Sequence, residues 1–216
     1  MLDKLTLEKK RFFARFPLFI FFFALFSLPK QLHSQDLNST DSLKIAIKSF
    51  IEDQSQDYRK KHLNLRKRDI GNLESEPFDF KGYFMLESKE EFENNLGYTT
   101  EREIYFMFYS YESETDRQYA LKYWMQDFIE GKTIRAGRPV RSYAYAKPTI
   151  ILINDKNIIV CNYECKYFDE DNYDYWKDEL MEHFGDKYKT MVIEIECEGP
   201  LEWTRNAPDP KNRGLF

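Results

Sequence analysis

Three cysteines carry the most reactive chemistry in this chain, and their spacing decides what they can do. Cys161 and Cys165 lie four apart in an alternating stretch, 157–168, and Cys197 closes another, 190–197. Residues four apart on a regular strand are about 13 Å apart, whereas disulfide-linked Cα atoms approach within about 7 Å. Cys161 and Cys165 therefore cannot bond each other on a regular strand. The pattern reads as three small buried side chains. The alternative is a Cys165–Cys197 bridge, which needs the two strand ends to converge in an oxidising compartment. With no C-x-x-C motif, a redox centre is not expected.

Other reactive constellations fail on spacing. The histidines are His33, His62 and His183, and no H-E-x-x-H occurs. An EF-hand loop opening at Asp169 requires glycine in its sixth place and glutamate in its last; the chain has Asp174 and Leu180 there. Those acids fit helix capping better. Gly131-Lys132-Thr133 resembles the end of a phosphate-binding loop, but Gln126 stands where its first glycine belongs. There is no G-x-G-x-x-G, and no G-x-S-x-G nucleophile elbow. The expectation is no metal, no cofactor and no catalytic centre.

What remains is recognition chemistry. Lys132, Arg135, Arg138, Arg141 and Lys147 gather in a long connection at 131–148. Guanidinium groups suit carboxylates, phosphates and acidic glycans. With the nearby Tyr105, the residues Arg135, Arg138, Arg141 and Lys147 are the candidate ligand-binding set, for an acidic ligand or an unknown protein partner. A rival reading is an enzyme assembled from scattered groups such as Glu164, Glu194, Glu196 and Tyr105. A nucleic-acid partner is not expected, because the net charge is −5 with both signs mixed along the chain.

The N-terminus reads as an address. Lys9, Lys10, Arg11 and Arg15 precede a Phe-rich apolar run at 16–28. That run is shorter than the roughly 20 residues of a membrane-spanning helix and has the length of a signal-peptide core. Cleavage is expected between Ser34 and Gln35. The protein would then be secreted or periplasmic. The alternative is an uncleaved signal-anchor that holds the domain outside the membrane, which would be its only membrane contact. Asn38-Ser39-Thr40 is a glycosylation sequon, relevant only in a host that glycosylates.

The elements that must position these groups follow from periodicity. The chain has 216 residues, 42% hydrophobic and 17% aromatic, enough for a core. Residues 103–111, EIYFMFYSY, are apolar on both alternating faces, which predicts a central strand covered on both sides. Residues 41–53 predict an amphipathic helix with Leu43, Ala46, Ile47, Phe50 and Ile51 on one stripe. The polar stretch 54–76, with its bases at 59–61 and 66–68, reads as a solvated linker. Residues 78–86 read as a strand with Gly82 at a bulge or bend, and 88–95 as a short helix opened by a capping box at Ser88. Helices are expected from Ser113 to Gly131, with Leu121, Trp124, Met125, Phe128 and Ile129 inward, and after Asp169, with Tyr173, Trp176, Leu180 and Phe184 inward. Strands are expected at 149–153, 157–168 and 190–197, the last with Glu194 and Glu196 outward.

The order from 103 to 197 is β-α-β-β-α-β. This predicts an α+β, ferredoxin-like split βαβ sheet with helices on one face, plus an N-terminal helical extension. The expected divisions are a signal segment at 1–34, a helix, linker and aromatic segment at 35–100, the βαββαβ domain at 101–198, and an irregular tail at 199–216. The 41–53 helix and the 78–86 segment would cover the second sheet face. RNA-recognition domains share the βαββαβ order, but the third strand, NIIVCNYECKYF, lacks their basic-glycine-aromatic signature.

Overall fold

A strand apolar on both faces needs cover on both sides, and the computed structural model supplies it. The structure describes residues 40–63, 65, 71–129, 147–197 and 199–208. Among these are three α-helices, α1 (Thr40–Asp53), α2 (Glu114–Ile129) and α3 (Glu170–Phe184). The strands are β1 (Tyr58–His62), β2 (Phe78–Glu93), β3 (Thr99–Tyr111), β4 (Thr149–Ile153), β5 (Asn157–Tyr163), β6 (Met191–Ile195) and β7 (Leu201–Arg205). They form one antiparallel sheet in the order β1-β2-β3-β5-β4-β6-β7. The fold is thus α+β, on a larger sheet than a split βαβ unit provides.

β3 lies inside the sheet with both faces buried. Ile104, Phe106 and Phe108 enter one apolar cluster with Leu43 and Phe50 of α1 and Tyr173, Trp176, Leu180 and Phe184 of α3. Met107, Tyr109 and Tyr111 enter the other, with Leu121, Trp124 and Met125 of α2 and Leu73 of the 3₁₀ turn Gly71–Glu74. The helices therefore cover both faces, contrary to the one-sided arrangement predicted. α1 packs beside α3 rather than on the second face, and β2 lies in the sheet rather than covering it.

The strand order explains the two-sided cover. β3, β5 and β4 are neighbours in the order a split βαβ unit requires. The last strand is not: β6 pairs with β4 instead of β3. The place beside β3 is taken by β2, joined to it by a short hairpin whose closure costs little loop entropy. Both crossovers, β3-α2-β4 and β5-α3-β6, then step the same way across the sheet from strands of opposite direction. Crossovers of one hand must in that case put their helices on opposite faces.

Four local readings are corrected. The stretch 88–95 is not a helix: it continues β2 to Glu93 and enters the hairpin turn at Asn94 and Asn95. Ser88 Oγ is engaged at a bulge between Glu87 and Glu91, accepting from the Arg102 N–H at 2.7 Å and donating to the Glu90 carbonyl at 2.8 Å. Gly82 sits in regular register opposite Phe108, and the bulge near it falls between Phe78 and Phe80. Part of the charged linker pairs as edge strand β1. The tail is not wholly irregular, because Leu201–Arg205 pairs with β6 as β7. Both helix starts follow their caps: Ser113 Oγ accepts from the Asp116 N–H at 3.1 Å, and Asp169 Oδ1 from the Asn172 N–H at 2.7 Å.

Candidate functional site

Face two of the sheet changes character along its length. Under α2 the rows are apolar, with Met107, Tyr109, Ile151, Ile153, Ile158 and Val160. One row further along, the register sets Tyr105 between Met85 on one side and Asn162 and Thr149 on the other. Lys61 of β1 continues that row. The next row brings Glu103 directly opposite Glu87. Glu164 follows the end of β5, and Lys147 precedes β4. Carboxylates, lysines and a tyrosine thus collect at one end of the sheet.

Each carboxylate in this group has its own donor. Tyr105 Oη donates to Glu103 Oε2 at 2.6 Å. Lys147 pairs with Glu164, and Lys61 with Glu87. Arg59 holds Glu101 at 2.8 Å. Glu87 is the most enclosed, its side chain 7% exposed. Its Oε2 has no hydrogen-bond partner among the described residues, and Glu103 opposite adds like charge, an unfavourable cross-strand pair. The Tyr105 phenol is pushed well above its ordinary pKa, first by burial, then by its hydrogen bond to Glu103 and the charges of Glu103 and Glu164. The phenol is thus held neutral and donates to Glu103.

The predicted set divides in two. Lys147 and Tyr105 are brought to the same end of the sheet, both beside Glu164. Arg135, Arg138 and Arg141 lie outside the described residues, as do Ser34, Gln35 and the whole of 1–34. Lys147 is matched by Glu164 and Tyr105 rests on Glu103, so neither contributes net positive charge to an anion site. The rival enzyme set does not assemble. Glu164 and Tyr105 are near each other, but Glu194 lies on the other face, 3.4 Å from Lys177 Nζ of α3, and Glu196 is exposed beyond β6. Glu194 is therefore turned to α3 rather than outward to solvent.

No protein-family model matches this chain, and no curated protein or solved structure matches it. The site is read from its own chemistry.

Cysteine chemistry is settled by the strand ends. β5 stops at Tyr163, and Cys165 opens a 3₁₀ turn, Cys165–Tyr167. Cys197 stands two residues past β6. Cys165 and Cys197 form a disulfide with Cα atoms 5.3 Å apart. The expectation of three unpaired buried cysteines thus holds for Cys161 alone, which is free and fully enclosed. Burial pushes the Cys161 thiol well up, away from the reactive thiolate.

Two further polar clusters escaped the sequence reading. Glu74 Oε1 accepts from Lys81 Nζ at 2.9 Å, from Tyr109 Oη at 3.4 Å and from Tyr83. Burial works to raise the Glu74 pKa, but these donors outweigh it and hold the carboxyl below its ordinary value. Arg102 stacks over Phe92 at 4.4 Å and reaches Asp169 Oδ2 at 3.1 Å and the Asn172 amide, tying β3 to the start of α3. Both act as joints between elements. Among the described residues, no three His, Cys, Asp or Glu side chains are placed to hold a metal ion, and no helix is long and apolar enough to cross a membrane.

Proposed function

We propose that this chain is an exported, non-catalytic binding protein, working in the periplasm or outside the cell. The observation that carries export is the Cys165–Cys197 disulfide, since such bridges persist in oxidising compartments. It agrees with the basic and apolar N-terminal segment. The non-catalytic reading rests on the state of the polar groups. Tyr83, Tyr105, Tyr109, Tyr111, Tyr163 and Tyr173 are all held neutral, chiefly by burial. The carboxylates at the polar end of the sheet are engaged by lysine, arginine or tyrosine. The alternative is the same domain tethered outside the membrane by an uncleaved N-terminal segment.

The ligand-binding surface is proposed to centre on Arg135, Arg138 and Arg141, which lie in the sequence between α2 and Lys147. Those three arginines suit an acidic ligand. Lys147 then positions the return of the segment through Glu164 instead of contacting the ligand. The test compares the mature chain with the R135A/R138A/R141A variant on acidic polysaccharide and on anionic vesicles. Binding lost in the variant and weakened by salt supports the site. Equal binding by both proteins, or binding by neither, removes it.

A further inference from the structure

The β2–β3 hairpin ends in a tip whose main chain is closed almost completely on itself. The Asn94 N–H donates to the Tyr98 carbonyl at 2.9 Å, and the Gly97 N–H to the Asn94 carbonyl at 2.9 Å. Asn94 Oδ1 accepts from the Leu96 and Tyr98 N–H groups at 2.9 and 3.1 Å. Gly97 takes a φ of 79°, the left-handed region where glycine is unstrained. The tip displays Leu96 and Tyr98, 66% and 68% exposed.

One residue of the tip faces elsewhere. The Asn95 N–H donates to the Lys166 carbonyl at 3.2 Å, and Asn95 Nδ2 to the Cys165 carbonyl at 2.9 Å. Both acceptors belong to the 3₁₀ turn that begins at Cys165, and Phe92 of the hairpin arm meets Tyr167 of that turn at 5.5 Å. Across the bridge, Cys197 sits in a turn closed by the Gly199 N–H on the Glu196 carbonyl at 3.1 Å, just before β7. In the sheet order β4 separates β5 from β6, so the disulfide crosses the start of β4 and joins two segments that no shared ladder connects.

We propose that the Cys165–Cys197 disulfide is a reducible brace that fixes two surface segments together, the β2–β3 tip through Asn95 and the β6–β7 turn through Cys197. Both cysteines are half-buried, within reach of a small reductant. A dithiol delivers two electrons and two protons: the Sγ–Sγ bond breaks, two thiols form, and the reductant closes to its own disulfide. The carbonyls of residues 165 and 166 then lose their covalent hold, and the tip that displays Leu96 and Tyr98 loosens with them. The redox state of the bridge thereby governs how rigidly those two side chains are presented. This inference does not depend on the arginine site.

Hydrogen exchange of the intact protein, before and after treatment with dithiothreitol, tests the brace. Amides at 94–98 and at Gly199 exchange about tenfold or more faster after reduction, because local opening becomes easier. Amides of Phe106 and Phe108, and the Asn154–Asn157 turn at the opposite end of the sheet, keep their rates. Unchanged exchange at 94–98, or equal acceleration in the opposite turn, overturns the proposal. An Asn95→Ala variant separates the two arms. In its oxidised form only the tip accelerates; the residue-95 N–H still reaches the Lys166 carbonyl, so reduction then accelerates Gly199 as in the parent and the tip by a smaller factor than in the parent. Acceleration of the tip on reducing that variant by the full factor seen in the parent also overturns the proposal, because the Asn95 side chain then transmits nothing.

Discussion

Tyr111 shows how much one buried hydroxyl can carry. Its Oη donates to the Leu73 carbonyl at 2.8 Å inside the second apolar cluster, fixing the 3₁₀ turn at Gly71–Glu74 against β3. Replacing it with phenylalanine leaves that carbonyl without its donor and costs about 1–2 kcal/mol. Thermal unfolding of Y111F should show a Tm lower by roughly 3–6 °C, and an unchanged Tm removes the bond from the account. Glu179 makes the opposite case. Burial first, helped by Glu182 and Asp53, raises its pKa against the opposing effects of His183 and Gln54. A raised carboxyl pKa gives stability that is present below the unfolded value and lost as pH rises through the folded one. E179Q should therefore raise Tm slightly at pH 7.5, by about 1–2 °C, and match the parent near pH 4. A stabilisation that persists unchanged at pH 4 would contradict the assignment.

At the scale of elements, β3 was legible because its apolar residues fill both alternating positions. Phe106 faces α1 and α3, and Met107 faces α2. F106A and M107A should each be strongly destabilising, by about 3–5 and 2–5 kcal/mol respectively in denaturant unfolding. A strand with one wet face would show only one such loss. The stretch SKEEFE was not legible. Its residues favour helix and its Ser88 fits a capping box, yet Ser88 Oγ serves a β-bulge. The overlooked signal was Asn94-Asn95-Leu96-Gly97 between two extended runs, which marks a hairpin. β7 hid between Pro200 and Pro208, although Leu201 and Trp203 already alternate. β1 has almost no apolar content and exists only as a charged edge, as edge strands tend to. Helix α3 read correctly through its cap. D169A should cost about 1–2 kcal/mol, and the loss should be smaller in an R102A background if the Arg102 contact is part of it; equal losses in both backgrounds would show that the cap acts alone.

At the scale of the whole molecule, the topology depended on a competition that no single segment reveals. Once β2 occupies the place beside β3, β6 must go to the far side of β4, and the crossover rule sends α3 to the face opposite α2. The disulfide was legible only as the alternative reading, which needed the strand ends to converge; they do, because β5 stops at Tyr163 rather than running to 168. The bridge closes a sequence separation of 32 residues and should contribute about 3–4 kcal/mol by restricting the unfolded chain. A C165S/C197S variant that unfolds at the same denaturant midpoint as the parent would show that the bridge does not brace the fold.

Export into an oxidising compartment underlies both the binding proposal and the brace. Non-reducing peptide mapping by mass spectrometry, on protein recovered from its native cells, tests it most directly. The account predicts a chain beginning at Gln35, a crosslinked peptide pair containing Cys165 and Cys197, and a Cys161 thiol that alkylates only after denaturation. Peptides from 1–34 on intracellular protein with all three cysteines as free thiols would contradict it.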